Sequence, residues 1–174
     1  MSLPHGQLTA LMTDAVAFSV QHVNAGGLPF VGLVVDEAGY ISEYGVNQVQ
    51  QSGDPSAHAE IVAMRATLRQ LSRTDLTGMC LLATGEPCGL CYRFALQHSI
   101  EKIYVAVDDD TVAVWGFDYR ASYRAFSIDR SELSEVVVPL PVPNGLEPFD
   151  RYLSISQSGR FARPHHPESR KGSS

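Results

Sequence analysis

The chain has 174 residues, 44% of them hydrophobic and 18% charged, with 13 Lys and Arg against 19 Asp and Glu for a formal charge of −6. That length and apolar content fit one globular domain, and the acidic balance excludes a general electrostatic pull toward nucleic acid or an anionic membrane. Seven Phe, seven Tyr and one Trp exclude a disordered, collagen-like or coiled-coil chain.

Leu8, Leu11, Met12, Val16, Val20 and Val23 recur at helical spacing, so Gln7 to Val23 is expected as a helix, ended by Asn24-Ala25-Gly26-Gly27. Phe30 to Val35 is a dense apolar run of strand length. A turn at Glu37-Ala38-Gly39 leads into a second strand, Tyr40 to Val46, and the two form a hairpin. Asp54-Pro55-Ser56 reads as a helix start, with Ile61, Met64, Leu68 and Leu71 as its buried stripe. Met79 to Ala83 is a strand, and Pro87 opens a helix that ends near His98. Lys102 to Val107 is strand-like, Thr111 to Trp115 a short helix or turn, and Glu135 to Leu140 the last strand, followed by a short helix over Phe149 to Ser154. The alternation of strands and helices predicts a layered α/β domain with a mixed sheet. Residues 1–157 are expected to form that domain. Ser158 to Ser174, which contains His165 and His166, is expected as a flexible tail.

Three cysteines, Cys80, Cys88 and Cys91, are too few for a disulfide-stapled secreted domain and point to a reducing compartment. No stretch reaches the apolar length of a membrane-spanning helix, and Met1 to Leu11 lacks the basic start and apolar core of a signal peptide. A cytoplasmic location is expected.

The chemistry concentrates in Ala57-His58-Ala59-Glu60 and Glu86-Pro87-Cys88-Gly89-Leu90-Cys91, separated by one helix, a loop and one strand. Zinc takes tetrahedral nitrogen and sulfur ligands, and a catalytic zinc keeps one position open for water. His58, Cys88 and Cys91 supply three ligands and leave the fourth position free. Cys88 and Cys91 stand three apart on a helix and share one face. Both segments sit at expected helix N-termini, where the dipole stabilises thiolates. Glu60 is placed to take a proton from the attacking water and return it to the substrate. Taken alone, Cys-x-x-Cys also serves as a redox pair or as half of a structural zinc site. Cys80 is the candidate for the fourth ligand such a site needs, although in its apolar strand it reads as a small buried hydrophobe. His98 reads as a capping or surface residue.

His-x-Glu followed by Pro-Cys-x-x-Cys matches the signature of the zinc-dependent base deaminases. From about Phe30 to Phe126 the chain resembles the cytidine deaminase superfamily, and within it bacterial guanine deaminases and their nucleobase-deaminase relatives. The resemblance is carried by Gly45-Val46-Asn47-Gln48-Val49, Asp54 to Glu60, Glu86 to Cys91 and Gly116-Phe117-Asp118. It implies a three-layer α/β/α fold around a five-stranded mixed sheet, one Zn2+ per chain and a homodimer, with Phe149 to Tyr152 able to cap a neighbour's pocket. It also implies substrate contacts, Asn47 to the ring and Phe30 beside the base, with Ala59 and Asp118 around them, while Tyr119, Trp115 and Tyr123 are expected to shape a pocket that departs from the family's.

In guanine deaminases a second acidic residue follows Gly-Phe-Asp. Here that position is Tyr119, whose phenol offers one donor-acceptor group and a stacking face where a carboxylate would pair with an amide edge. The expected activity is hydrolytic deamination of a free base or similar aminated heterocycle, a guanine-type purine first. Cytosine, isocytosine, an aminotriazine or a nucleoside are the alternatives. A tRNA-editing deaminase is disfavoured, because Ser131 to Gln157 holds Arg151 as its single basic residue, while Arg160, Arg163, Arg170 and Lys171 lie in the tail.

Overall fold

Helix α1 (His5–Asn24) leads into β1 (Val31–Asp36), β2 (Gly45–Val46), the single turn α2 (Val49–Ser52), α3 (Ala59–Gln70), β3 (Met79–Ala83) and α4 (Gly89–Gln97). The second half runs β4 (Lys102–Val105), α5 (Asp109–Val114), α6 (Ala121–Ala125), a 3-10 turn at Glu132–Glu135, β5 (Val137–Pro139) and α7 (Glu147–Gln157). The computed structural model describes residues 3–159, so the expected tail, with His165 and His166, lies outside the described residues apart from Ser158 and Gly159.

The five strands form one mixed sheet in the order β2-β1-β3-β4-β5. Strand β1 is antiparallel to both β2 and β3, while β3, β4 and β5 run parallel. Each parallel step needs a crossover, which α4 and then α5 and α6 provide. Side chains alternate along each strand, so the sheet feeds two cores. Val34, Leu81, Ile103 and Val105 pack with Ile61, Met64, Tyr92 and Ala95 of α3 and α4 on one face. Leu33, Val35, Leu82 and Tyr104 pack with Leu8 and Met12 of α1 on the other, where α7 lies beside α1. This is the three-layer α/β/α arrangement expected. No described helix is long and apolar enough to cross a membrane.

Besides the short helices α2 and α6, which were not expected, and a last strand shortened to Val137–Pro139, three elements differ in ways that bear on the site. The second strand shrinks from Tyr40–Val46 to Gly45–Val46 plus an isolated bridge between Val35 and Ile41. There the Ser42 hydroxyl accepts the Val34 N–H at 2.9 Å, so a side chain replaces a carbonyl and interrupts the ladder. Helix α3 begins at Ala59 rather than near Asp54. The Asp54 carboxylate instead accepts the Ser56 N–H (2.8 Å) and hydroxyl (2.6 Å), and Arg65 of α3 staples the resulting turn at 2.7 Å. The last helix is longer than expected and runs Glu147–Gln157.

Candidate active site

His58 and Cys88 are the N-cap residues of α3 and α4, with extended backbones at φ −72°, ψ 155° and φ −71°, ψ 174°. An N-cap side chain leaves the helical spiral and reaches across the helix end. The delayed start of α3 therefore has a consequence: it makes His58 a cap instead of an interior residue. Because α3 and α4 share one face of the sheet, their N-termini and caps converge. Gly45 allows α3 to sit this low. A Cβ there would stand 2.1 Å from the Ala59 carbonyl oxygen, so only glycine lets the first turn lie on β2.

The His58 Nδ1 lies 3.4 Å from Cys88 Sγ and 3.5 Å from Cys91 Sγ, and the two sulfurs are 3.6 Å apart. A tetrahedral zinc with bonds of about 2.3 Å to sulfur and about 2.05 Å to nitrogen needs separations of about 3.8 Å between sulfurs and about 3.6 Å from sulfur to nitrogen. The three atoms thus mark one face of such a tetrahedron, and the donor set fits zinc. Among the described residues, His58, Cys88 and Cys91 form the group able to hold a metal ion. Cys80 stands apart in the α1-side core, with its thiol pushed up to about 11 mainly by burial. His98 closes α4, its Nδ1 2.9 Å from the Phe94 carbonyl and its ring stacked on Phe94. Neither supplies a fourth ligand, so among the described residues the set has three protein donors, the number that an open catalytic zinc site has.

Charge is shared unequally between the sulfurs. Cys88 is held down to about 4, first by the hydrogen bond from the Cys91 thiol and also by His58, while Cys91 is pushed up by the same pairing. Cys88 in turn raises His58. Glu60, in the first turn of α3, is 4% exposed, with Oε2 3.4 Å from Cys91 Sγ. Burial raises its carboxyl to about 7, and the negative Cys88 sulfur adds to this.

A cavity of about 150 Å³ opens onto these groups. Beside the donors and Glu60 it is lined by Leu28, Phe30, Asn47, Ala59, Glu86 and Tyr119. Four of the expected substrate contacts, Phe30, Asn47, Ala59 and Tyr119, are thus brought together. Phe30 sits edge-on to Phe117 (5.1 Å) and Phe149 (5.4 Å), which fixes its ring. The Asn47 Oδ1 accepts the Val49 N–H at 3.1 Å, so a turn orients its amide. The Tyr119 hydroxyl donates to the Glu86 carbonyl.

Trp115 and Asp118 do not line this cavity. The Trp115 Nε1–H is drawn to Asp150 at 2.8 Å, and the Asp118 carboxylate turns to the Arg120 guanidinium two residues on, 2.7 Å away at its closest. That pairing, mainly through its hydrogen bonds, holds Asp118 down to about 2. Phe149 is fully buried in its own chain and Tyr152 packs on Phe117 at 5.2 Å, so in this structure the segment supports its own aromatic cluster. A larger cavity of about 360 Å³ lies on the other side of Glu86, beneath β5, and none of the three donor residues lines it.

Two cavity residues were not singled out from the sequence, Leu28 and Glu86. Leu28 carries no signal of its own. Glu86 carries one: an acidic residue stands three positions after an apolar strand and directly before Pro-Cys, and where such a carboxylate is buried it needs partners.

Residues 6–107 match the family model described as the cytidine and deoxycytidylate deaminase zinc-binding region. A curated guanine deaminase from Bacillus subtilis (strain 168) is 28% identical over 148 residues, covering 84% of this chain and 94% of that one. An X-ray structure of guanine deaminase from Bacillus subtilis superimposes with a TM-score of 0.63 at 27% identity, over 94% of this chain and 99% of that chain. A guanine deaminase structure from Nitrosomonas europaea has the same fold, with a TM-score of 0.68 at 20% identity over 88% of this chain and 86% of that chain. The segment matched by the family model runs from α1 through β4 and takes in all three donors. The chain belongs to the cytidine and deoxycytidylate deaminase zinc-binding family.

Proposed function

We propose that the chain is a zinc-dependent hydrolase that releases ammonia from a free nucleobase, a guanine-type purine first. One observation carries this reading: a buried carboxyl, Glu60, stands beside an open three-donor metal set on the wall of a small cavity. The guanine deaminases similar to this chain support the choice of ring.

His58, Cys88 and Cys91 hold the metal. When bound, zinc supplies a Lewis acid that lowers the pKa of the water in its open position. Glu60 accepts a proton from the attacking water and hands it to the ring nitrogen, then carries the second proton of the same water to the departing amine. Water and the aminated carbon thereby give a carbonyl and ammonia. A carboxyl raised toward neutrality suits a group that must both accept and donate. Phe30, Leu28 and the Tyr119 ring flank a flat heterocycle, Ala59 borders it, and Asn47 offers its amide NH2 to a ring acceptor. The cavity of about 150 Å³ is smaller than the roughly 300–1,000 Å³ of drug-sized ligand sites, which favours a base over a nucleoside.

One observation favours a second choice of ring. With its hydroxyl committed to the Glu86 carbonyl, Tyr119 presents a ring and not an acid, so a guanine amide edge finds no second free carboxylate. Cytosine, isocytosine and aminotriazines therefore stay in the panel. The reading also includes a homodimer in a reducing, cytoplasmic setting. The resemblance to guanine deaminases supports the first, and the small number of cysteines the second.

The test is ammonia release by zinc-loaded protein from guanine, adenine, cytosine, isocytosine, an aminotriazine and the corresponding nucleosides. Release from free bases, led by guanine, is expected. Release from nucleosides alone would overturn the free-base reading, and no release from zinc-loaded protein would overturn the activity on this substrate class.

A further inference from the structure

The main chain that delivers Cys88 is held at three points by residues more than thirty positions later. The Tyr119 hydroxyl donates to the Glu86 carbonyl and the Tyr123 hydroxyl to the Pro87 carbonyl (3.0 Å), while the Ser122 hydroxyl accepts the Gly89 N–H (2.8 Å). The contact is close enough to demand glycine at 89, where a Cβ would stand 2.3 Å from the Ser122 carbonyl oxygen. Segment 119–123 therefore rests directly on the start of α4, and anything that fixes this segment fixes the metal-binding loop.

Arg130 does so. Its guanidinium lies over the Tyr123 ring at 4.6 Å from the centroid. Nη2 donates to Glu86 Oε1 at 2.7 Å and Nη1 to Asp109 Oδ2. Both carboxylates are nearly buried, at 4% and 8% side-chain exposure. Glu86 also accepts the Tyr92 hydroxyl from α4 (2.8 Å) and the Asp109 N–H from α5 (2.8 Å). One cation thus ties together α4, α5, segment 119–123 and the residue two before Cys88. A planar guanidinium bridges two carboxylates and stacks on a ring at once; an ammonium does not.

We infer that Arg130 is a positioning residue for the metal centre, acting through Glu86 and Tyr123 on the backbone that carries Cys88. Arg130 itself contributes no donor atom and does not line the site cavity. Its effect is geometric: it holds the Cys88 cap where Cys88, Cys91 and His58 mark one tetrahedral face. Residues that orient metal ligands typically carry about 10–100-fold in metal affinity.

The experiment uses the full chain and two conservative variants. Arg130→Lys keeps the charge and loses the fork, and Tyr123→Phe keeps the ring and removes only the hydroxyl on Pro87. Zinc affinity is read by chelator competition, coordination geometry by the visible spectrum of the cobalt(II)-substituted protein, and folding by thermal unfolding. Both variants are expected to fold. Zinc affinity falls about tenfold in Arg130→Lys and less in Tyr123→Phe, and the thiolate-to-cobalt bands shift in both. Wild-type affinity and spectrum in the folded variants would overturn the proposal and leave Arg130 a purely stabilising residue. Should Arg130→Lys fail to fold, Tyr123→Phe decides alone by the same two readouts. A wild-type chain that binds no cobalt would sink the metal centre itself, and this inference with it, which keeps the two failures apart.

Discussion

Replacing Glu60 with glutamine is expected to raise the stability of the metal-free protein and to remove the activity of the zinc-loaded one. Glu60 is 4% exposed, and its carboxyl is raised from 4.5 to about 7, first by burial and then by the Cys88 sulfur. A carboxyl whose folded value lies above its unfolded value costs nothing below about pH 4.5 and its full penalty above about 7. At roughly 1.4 kcal/mol for each tenfold change, that distance corresponds to about 3 kcal/mol. The glutamine NH2 gives up water on burial and returns about 1 kcal/mol of this. The metal-free variant is therefore expected to be about 2 kcal/mol more stable than wild type at pH 8. That advantage disappears as the pH falls toward 4.5. Urea unfolding with chelator present, at pH 4.5, 6 and 8, reads the difference. In the zinc-loaded protein the same change removes the proton carrier and leaves all three donors, so turnover falls by about 10³-fold with zinc content unchanged. Near-normal turnover by zinc-loaded Glu60→Gln would refute the catalytic role. A variant less stable than wild type at pH 8 would refute the account of the buried charge.

Two further outcomes follow from the same geometry. In metal-free protein at pH 7, iodoacetamide is expected to label Cys88 ahead of Cys80 and Cys91. Cys88 is held down to about 4, whereas burial keeps Cys80 near 11 and the Cys88 pairing keeps Cys91 up. Zinc is expected to abolish that labelling, and peptide mass spectrometry reads the order directly; prior modification of Cys80 would contradict it. Gly45→Ala places a methyl group 2.1 Å from the Ala59 carbonyl oxygen. Lifting the first turn of α3 off β2 is expected to cost about 1–3 kcal/mol and to lower turnover together with stability. An unchanged urea midpoint would show that the contact yields freely.

Much of the catalytic apparatus was legible because its signals are local. Cys88 and Cys91 stand three apart, His58 and Glu60 two apart, and each pair leads into an apolar helical stripe, so residue types and short spacings suffice to name the candidate donors and the candidate proton carrier. The strand-helix alternation that sets the three layers is equally local, since it reflects which side chains must leave water. The helix start was misread for a related reason. Asp54-Pro55-Ser56 has the composition of an N-cap, but Arg65 eleven residues later captures the Asp54 carboxylate and makes a turn instead. Ser42 shows the same limit at the sheet, where its hydroxyl takes the place of a strand carbonyl.

Other features depended on partners that no spacing announces. Trp115 and Asp118 looked like pocket residues beside Gly116-Phe117, yet Asp150 and Arg120 draw their polar groups away. Tyr119 enters the cavity as a ring because the Glu86 carbonyl takes its hydroxyl, and Arg130, 44 residues after Glu86, joins the site's support through two buried carboxylates. The sequence by itself determined which residues are candidates to hold zinc and which carboxyl is the candidate to move a proton, because those are properties of residue type and near spacing. Only the tertiary structure decided how the cavity wall is composed and what holds the Cys88 loop in place. A buried charge is held by whatever partner the fold brings within about 3 Å, and that distance has no counterpart along the chain.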